Sequence, residues 1–136
     1  RVPLIGSWDG YVRAIDYAAT TDDGYAIESK VLIGPLLTKD MDDVLIKDLQ
    51  AILGETSKPV NYEVYVGTTA EEALAAIEND DDPVVSGTWR AGRNLTTIVR
   101  RAGHAVYVRL TSSEQWAMES IRCRLSGQGR VRRRGA

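Results

Sequence analysis

Beyond Pro83 the chain is cut by turn signals into short runs of β-forming residues, and that punctuation limits the possible folds more than any other feature. The runs cover residues 84–89, 95–101, 104–110 and 114–125, with Ala91-Gly92-Arg93-Asn94 and Ala102-Gly103 as turns between them. In 104–110, His104, Val106, Val108 and Leu110 alternate with Ala105, Tyr107 and Arg109. In 114–125, Ala117, Ile121, Cys123 and Leu125 lie opposite Trp116, Met118, Arg122 and Arg124. A period of two is that of a strand with one face turned inward. Short strands about 8–12 residues apart point to a sandwich or a barrel.

Upstream, Val60, Tyr62, Val64 and Val66 alternate with Asn61, Glu63 and Tyr65, which predicts a half-buried strand ended by Gly67. A single helix is expected over 69–79. Thr69-Ala-Glu-Glu72 has capping-box spacing, in which Thr69 bonds the Glu72 amide and Glu72 returns the bond. Ala70, Ala73, Leu74 and Ile77 supply the apolar stripe, and Asp80-Asp81-Asp82-Pro83 ends the helix as a solvated loop.

Residues 11–17 and 25–33 also alternate, around the turn Thr20-Thr21-Asp22-Asp23-Gly24. They read as one long hairpin within residues 1–34, stopped at Gly34-Pro35 because proline cannot donate to a ladder. Residues 44–53 are ambiguous: Leu45, Leu49, Ile52 and Leu53 fit a helical stripe. Leu45, Leu49, Ala51 and Leu53 equally share a strand face, interrupted only by Lys47. The expected fold is therefore one mainly β domain, antiparallel and β-sandwich-like, with one short α-helix at 69–79. It would carry the hairpin in 1–34 and the sandwich in 44–136. At 136 residues, 43% of them hydrophobic, the chain can bury one core. Its apolar runs fall far short of the ~20 residues of a spanning helix, so no membrane segment is expected.

Enzyme chemistry has little to build on here. A single cysteine, Cys123, excludes an internal disulfide and a cysteine-based zinc site, and it shares an apolar face with Ile121 and Leu125. A single histidine, His104, excludes a multi-histidine metal site and has no serine or cysteine motif beside it. The acids Asp22/Asp23 and Asp40/Asp42/Asp43 are of the type glycosidases use, but they sit among turn residues with nothing local to raise one pKa. The glycines of 87–92 lack the Lys-Ser/Thr of a phosphate-binding loop. No catalytic, cofactor-binding or metal-ligating residue is expected.

Charge is more informative. The formal net charge of −2 conceals two opposed halves. Residues 1–83 hold 17 Asp and Glu against 6 Lys and Arg, while residues 84–136 hold 2 Glu against 11 Arg and no Lys. One reading has acidic and basic strands neutralising each other across a sheet. A second takes arginine without lysine as the mark of a protein interface, where bidentate pairing is favoured and lysine depleted. A third takes Arg90, Arg93, Arg100, Arg101 and Arg109, interleaved with Trp89 and Tyr107, as a basic aromatic surface for nucleic acid. The terminal Arg130, Arg132, Arg133 and Arg134 would add weakly specific phosphate binding.

Two stretches resemble virion tail proteins of tailed bacteriophages. Gly6-Ser-Trp-Asp-Gly-Tyr-Val-Arg-Ala-Ile-Asp-Tyr17, followed by Asp22-Asp23-Gly24-Tyr-Ala-Ile27, is similar to a hairpin of propeller-like tail hub or nozzle components. Trp89-Arg-Ala-Gly-Arg-Asn94, Arg100-Arg101, Gly103, Tyr107-Val-Arg-Leu110, Trp116-Ala-Met-Glu119 and Gly129-Arg-Val-Arg-Arg-Arg134 resemble the C-terminal ends of such proteins. The resemblance covers half the chain and implies the C-terminal part of a longer tail protein. A complete propeller does not fit, since blades of ~40–50 residues would number about three. The resemblance also tips 44–53 towards a strand pairing with 60–66 through the turn at 54–59. It implies a positive-φ turn at Arg93 and Asn94 held by side-chain bonds, and no catalysis at any matched position.

The function so implied is structural: a tail hub, nozzle or head-to-tail connector component of the virion, made in the host cytoplasm. Its partners would be copies of itself in a ring and neighbouring tail or connector proteins. Arg90, Arg93, Asn94, Arg100, Arg101, Arg109, Arg130, Arg132, Arg133 and Arg134 are the candidate interface residues. DNA in transit through an arginine-lined channel is the alternative partner, and a carbohydrate-active tail domain the remaining alternative. No cofactor is expected.

Overall fold

The alternating runs become strands in the computed structural model, which describes residues 2–37 and 43–127. In chain order they are β1 (Leu4–Gly6), β2 (Val12–Ala14), β3 (Thr21–Asp22), β4 (Tyr25–Ala26), β5 (Ser29–Leu36), β6 (Val44–Leu53) and β7 (Val60–Gly67). Then come α1 (Ala70–Glu78), β8 (Val85–Trp89), β9 (Gly92–Arg93), β10 (Thr97–Gly103), β11 (Ala105–Ser112) and β12 (Met118–Gly127). The fold is mainly β and sandwich-like, with one short helix. One sheet runs β5-β11-β7-β8; the other runs β10-β6-β12, with β9 also paired to β6. Every strand pairing within these sheets is antiparallel.

The two sheets share one core. Val44, Ile46, Leu49, Ala51 and Leu53 of β6 meet Val60, Tyr62 and Val64 of β7, Val106, Val108 and Leu110 of β11, and Trp89 at the end of β8. Tyr62 and Trp89 stack with ring centroids 4.4 Å apart, a geometry that adds to the apolar burial of both. The Tyr62 hydroxyl reaches across to Thr97 Oγ1 at 3.1 Å, tying β7 to β10. On the other face of the β5-β11-β7-β8 sheet, Tyr65, Ala105 and Tyr107 pack against Ala73 and Ile77 of α1. Both faces of β11 are thus covered, so its alternation does not separate buried from exposed.

The helix forms as the sequence predicts, with one difference. Thr69 Oγ1 accepts from the Glu72 amide at 3.1 Å. The Glu72 carboxylate, however, turns back one residue further, to the Thr68 amide at 3.3 Å and to the Thr68 hydroxyl. The Glu72 amide is capped as in a capping box, while the reciprocal bond goes to Thr68 instead of Thr69.

Three expectations need correction. First, residues 1–34 are not one long hairpin. They make two minute hairpins, β1–β2 and β3–β4, and then β5 joins the main sheet beside β11. Second, Pro35 does not stop the strand. β5 is an edge strand, so its missing N–H deprives no neighbour, and an irregularity opposite Val106 and Val108 absorbs the local kink.

Third, 44–53 is a strand but pairs with β12 and β10 rather than with 60–66. The connection at 54–59 carries the chain from one sheet to the other, where β6 and β7 face each other across the core. Its parity also reverses midway. Opposite β12, Arg124 faces Asp48 and Leu125 faces Ile46, leaving Lys47 as an extra residue. Opposite β10, Ile98 faces Asp48 and Arg101 faces Ile46, and there the extra residue is on β10, where Arg100 takes a φ of +50°. Val44 and Ile46 therefore face inward before the bulge, and Leu49, Ala51 and Leu53 after it. The apparent interruption at Lys47 is this bulge.

Candidate interaction surface

The predicted interface residues divide by what holds them. Arg109 lies directly opposite Glu63 on the face of β11 and β7 that α1 covers. Its Nε donates to Glu63 Oε2 at 2.8 Å, its Nη2 to the Tyr65 hydroxyl at 3.1 Å and its Nη1 to Asp80 Oδ1 at 3.2 Å. The same Nη1 stands 3.5 Å from the Ile77 carbonyl at the helix C-terminus. A cation there offsets the unfavourable placement of the acidic run after α1. Burial first, and the hydrogen bond to Glu63 second, raise the Tyr65 hydroxyl above its ordinary range. Arg109 is thus an internal brace, neutralised across the sheet.

Asn94 is also spent internally. Its Nδ2 donates to the Arg90 carbonyl at 2.9 Å and to the Ala51 and Gly92 carbonyls at 3.3 Å, while its Oδ1 accepts from the Arg90 amide at 2.9 Å. Its own amide donates to Ala51 O at 3.1 Å. The turn is held by side-chain bonds, and its positive φ falls on Gly92 (+82°) rather than on Arg93 or Asn94. Only a residue without Cβ takes that conformation freely. The consequence is that Arg90 and Arg93 are presented on a rigid loop stapled to β6.

Arg90, Arg93, Arg100 and Arg101 are exposed and have no carboxylate partner among the described residues. Arg130, Arg132, Arg133 and Arg134 lie outside the described residues. The fold adds neighbours that the sequence reading did not single out. Arg122 of β12 donates to Gln50 Oε1 at 2.9 Å, and Arg124 is bonded through Nε to both oxygens of Asp48 at 2.9 and 2.7 Å. Lys47, Arg100 and Arg124, with Leu45, Asp48, Thr96 and Ile98, line a groove of about 750 Å³ on the outer face of the β10-β6-β12 sheet, where Asp48 neutralises Arg124. The alternation of Arg122 and Arg124 against Ile121 and Cys123 was the available signal; their convergence with Lys47 was not visible without the bulge.

The Arg124 guanidinium holds the Asp48 carboxyl below the ordinary aspartate value of 3.8, against the opposing effect of burial. A carboxylate with a lowered folded-state pKa contributes stability that is complete above 3.8 and is lost as the pH falls towards its folded value. Asp9, held down by its bonds to Arg13 and to the Tyr11 amide, titrates in the same direction. Urea midpoints are therefore expected to be level from pH 7 to about 4 and to fall below that, with a smaller acid step in Asp48→Asn. An unchanged acid step in that variant would show that the pair does not carry it.

Other candidates resolve into structural parts. Cys123 is half-buried against the core, and burial, with the nearby Asp48 charge, pushes its thiol up to about 11, far from a thiolate nucleophile at neutral pH. His104 lies where the chain crosses between sheets, its amide donating to Gly67 O at 2.9 Å. Asp23 pairs with Arg13 at 3.0 Å, and Asp40 and Asp42 lie outside the described residues. Among the described residues, no group of three His, Cys, Asp or Glu side chains could hold a metal ion, and no helix is long and apolar enough to cross a membrane. The two aromatics of the expected basic aromatic surface, Trp89 and Tyr107, are buried. Neither protein-family models nor curated proteins give a match to this chain.

Proposed function

We propose that this chain is a structural component of a tailed-bacteriophage tail, of the hub, nozzle or connector type, and that copies of it assemble into a ring through charge-complementary contacts. The observation that carries this reading is the charge left over after folding. Internal pairing takes Arg109 and Arg124, yet Arg90, Arg93, Arg100 and Arg101 stay exposed without carboxylate partners among the described residues. An uncompensated arginine face on a chain of net charge −2 suits contact with an acidic face on a neighbouring copy. The likeness of residues 6–27 and 89–134 to tail proteins supplies the biological setting.

The nucleic-acid alternative is weaker, because the aromatic rings that would stack on bases are in the core. Among the described residues no arrangement of groups favours a carbohydrate-cleaving reaction, and the protein is read as non-enzymatic.

Native mass measurement and sedimentation across a salt series test the reading. Between about 0.01 M and 1 M salt the screening length falls from about 30 Å to about 3 Å. The expected result is an oligomer of defined size at low salt that dissociates as salt rises. A monomer at every concentration and at low salt would overturn it.

A further inference from the structure

Residues 2–28 form an arm whose large apolar side chains have few neighbours among the described residues. Leu4, Trp8, Tyr11, Val12, Tyr17 and Tyr25 are all exposed, on hairpins whose strands are two or three residues long. Isolated two-stranded hairpins are at best marginally stable in water, and an apolar surface of this extent marks an interaction site. The main internal tie is Arg13, which bonds Ser7, Asp9 and Asp23. The arm holds five acids, Asp9, Asp16, Asp22, Asp23 and Glu28, against that one arginine.

A surface of opposite character lies on the outer face of the β10-β6-β12 sheet. There Ile98, 64% exposed, lines the groove with Lys47, Arg100, Arg124 and Asp48, and Leu95, 90% exposed, sits on the loop that leads into β10. Arg90 and Arg93 stand on the stapled turn next to it. Exposed apolar residues with arginines nearby have the make-up of an interface centre and its rim.

We infer that the arm of one copy docks on this face of the next, its aromatic side chains over Leu95 and Ile98 and its carboxylates against the arginines. The inference rests on the ring-assembly reading and names the two surfaces that would make the ring. Because arm and face are different patches, the contact is heterologous: each copy gives one and receives the other, and the chain of copies closes when the rotation per step permits.

Point variants on exposed residues test this without disturbing the core. An arm variant (Trp8→Ser with Tyr17→Ser) and a face variant (Leu95→Asp with Ile98→Asp) are each expected to weaken self-association at least about tenfold. At a concentration and salt where the wild type is monomeric, their unfolding midpoints should equal the wild-type value. Mixed together, they should form a one-to-one dimer and nothing larger, since only one good arm and one good face remain. Two variants that each oligomerise like wild type would overturn the proposal while leaving the ring reading standing. A wild-type protein that never self-associates would overturn both. Dimerisation of the arm variant with itself would also overturn it, because the contact would then join like patches.

Discussion

Trp89→Ala is expected to cost about 3–5 kcal/mol of folding stability, the range for truncating a large aromatic in a packed core. Trp89 is 2% exposed, closes the end of β8 and stacks on Tyr62, whose hydroxyl in turn bridges to Thr97 of the opposite sheet. Removing the indole opens a cavity at the point where the two sheets are joined and frees the Tyr62 ring from its neighbour. Trp89→Phe should cost less than half as much. A phenyl ring keeps the stack, and the indole Nε1 has no hydrogen-bond acceptor among the described residues, so no bond is lost with it. Urea denaturation followed by far-ultraviolet circular dichroism gives both values. Equal costs for the two variants would show that the stack with Tyr62 contributes nothing. Within Trp89-Arg-Ala-Gly-Arg-Asn94 the tryptophan anchors the core while the asparagine staples the turn.

Gly103→Ala is expected to destabilise by about 3 kcal/mol, at the upper end of what one added methyl costs in a tight interior. Here the chain leaves β10 in one sheet and enters β11 in the other. A Cβ at this position would overlap Val66 Cγ1 and come within 2.9 Å of the Gly67 carbonyl oxygen. That carbonyl accepts the His104 amide, so it cannot retreat without breaking the bond that fixes the crossing. Val66→Ala in the same chain should recover part of the loss, since it removes the methyl that clashes and leaves only the backbone contact. The double variant therefore reads the coupling between the two sites directly. Full additivity, with no recovery, would show that the clash with Val66 is not the cause.

Much of the local structure was legible from residue order. The strands at 60–66 and 104–110 and the helix begun by Thr69 follow from periods and caps that need no distant neighbour, whereas the strand expected over 114–125 runs over Met118–Gly127, without Trp116 and Ala117. The long hairpin failed because Ser29–Leu36 alternates equally well whether it pairs with residues 11–17 or with β11. Local periodicity states that a residue faces inward, not which strand lies beside it. The strand at 44–53 was ambiguous for a related reason: its bulge at Lys47 breaks the period, and a broken period of two resembles a helical stripe. Among the candidate interface residues, Arg109 and Asn94 are internal braces. Nothing near Arg109 in the sequence announces Glu63 or Asp80, which lie 46 and 29 residues away.

From residue order alone came a mainly β fold with one capped helix, the poverty of catalytic groups and the opposition of an acidic half to an arginine half. These depend on composition and on contacts a few residues apart, where backbone preference and side-chain period act directly. Tertiary structure decided which arginines are neutralised and which are left facing out, because that depends on pairings such as Arg124 with Asp48, 76 residues apart. It also decided that the apolar arm at 2–28 stays uncovered while Trp89 and Tyr107 are buried. Whether a side chain ends in the core or on a surface is settled by what packs over it, and that neighbour comes from elsewhere in the chain.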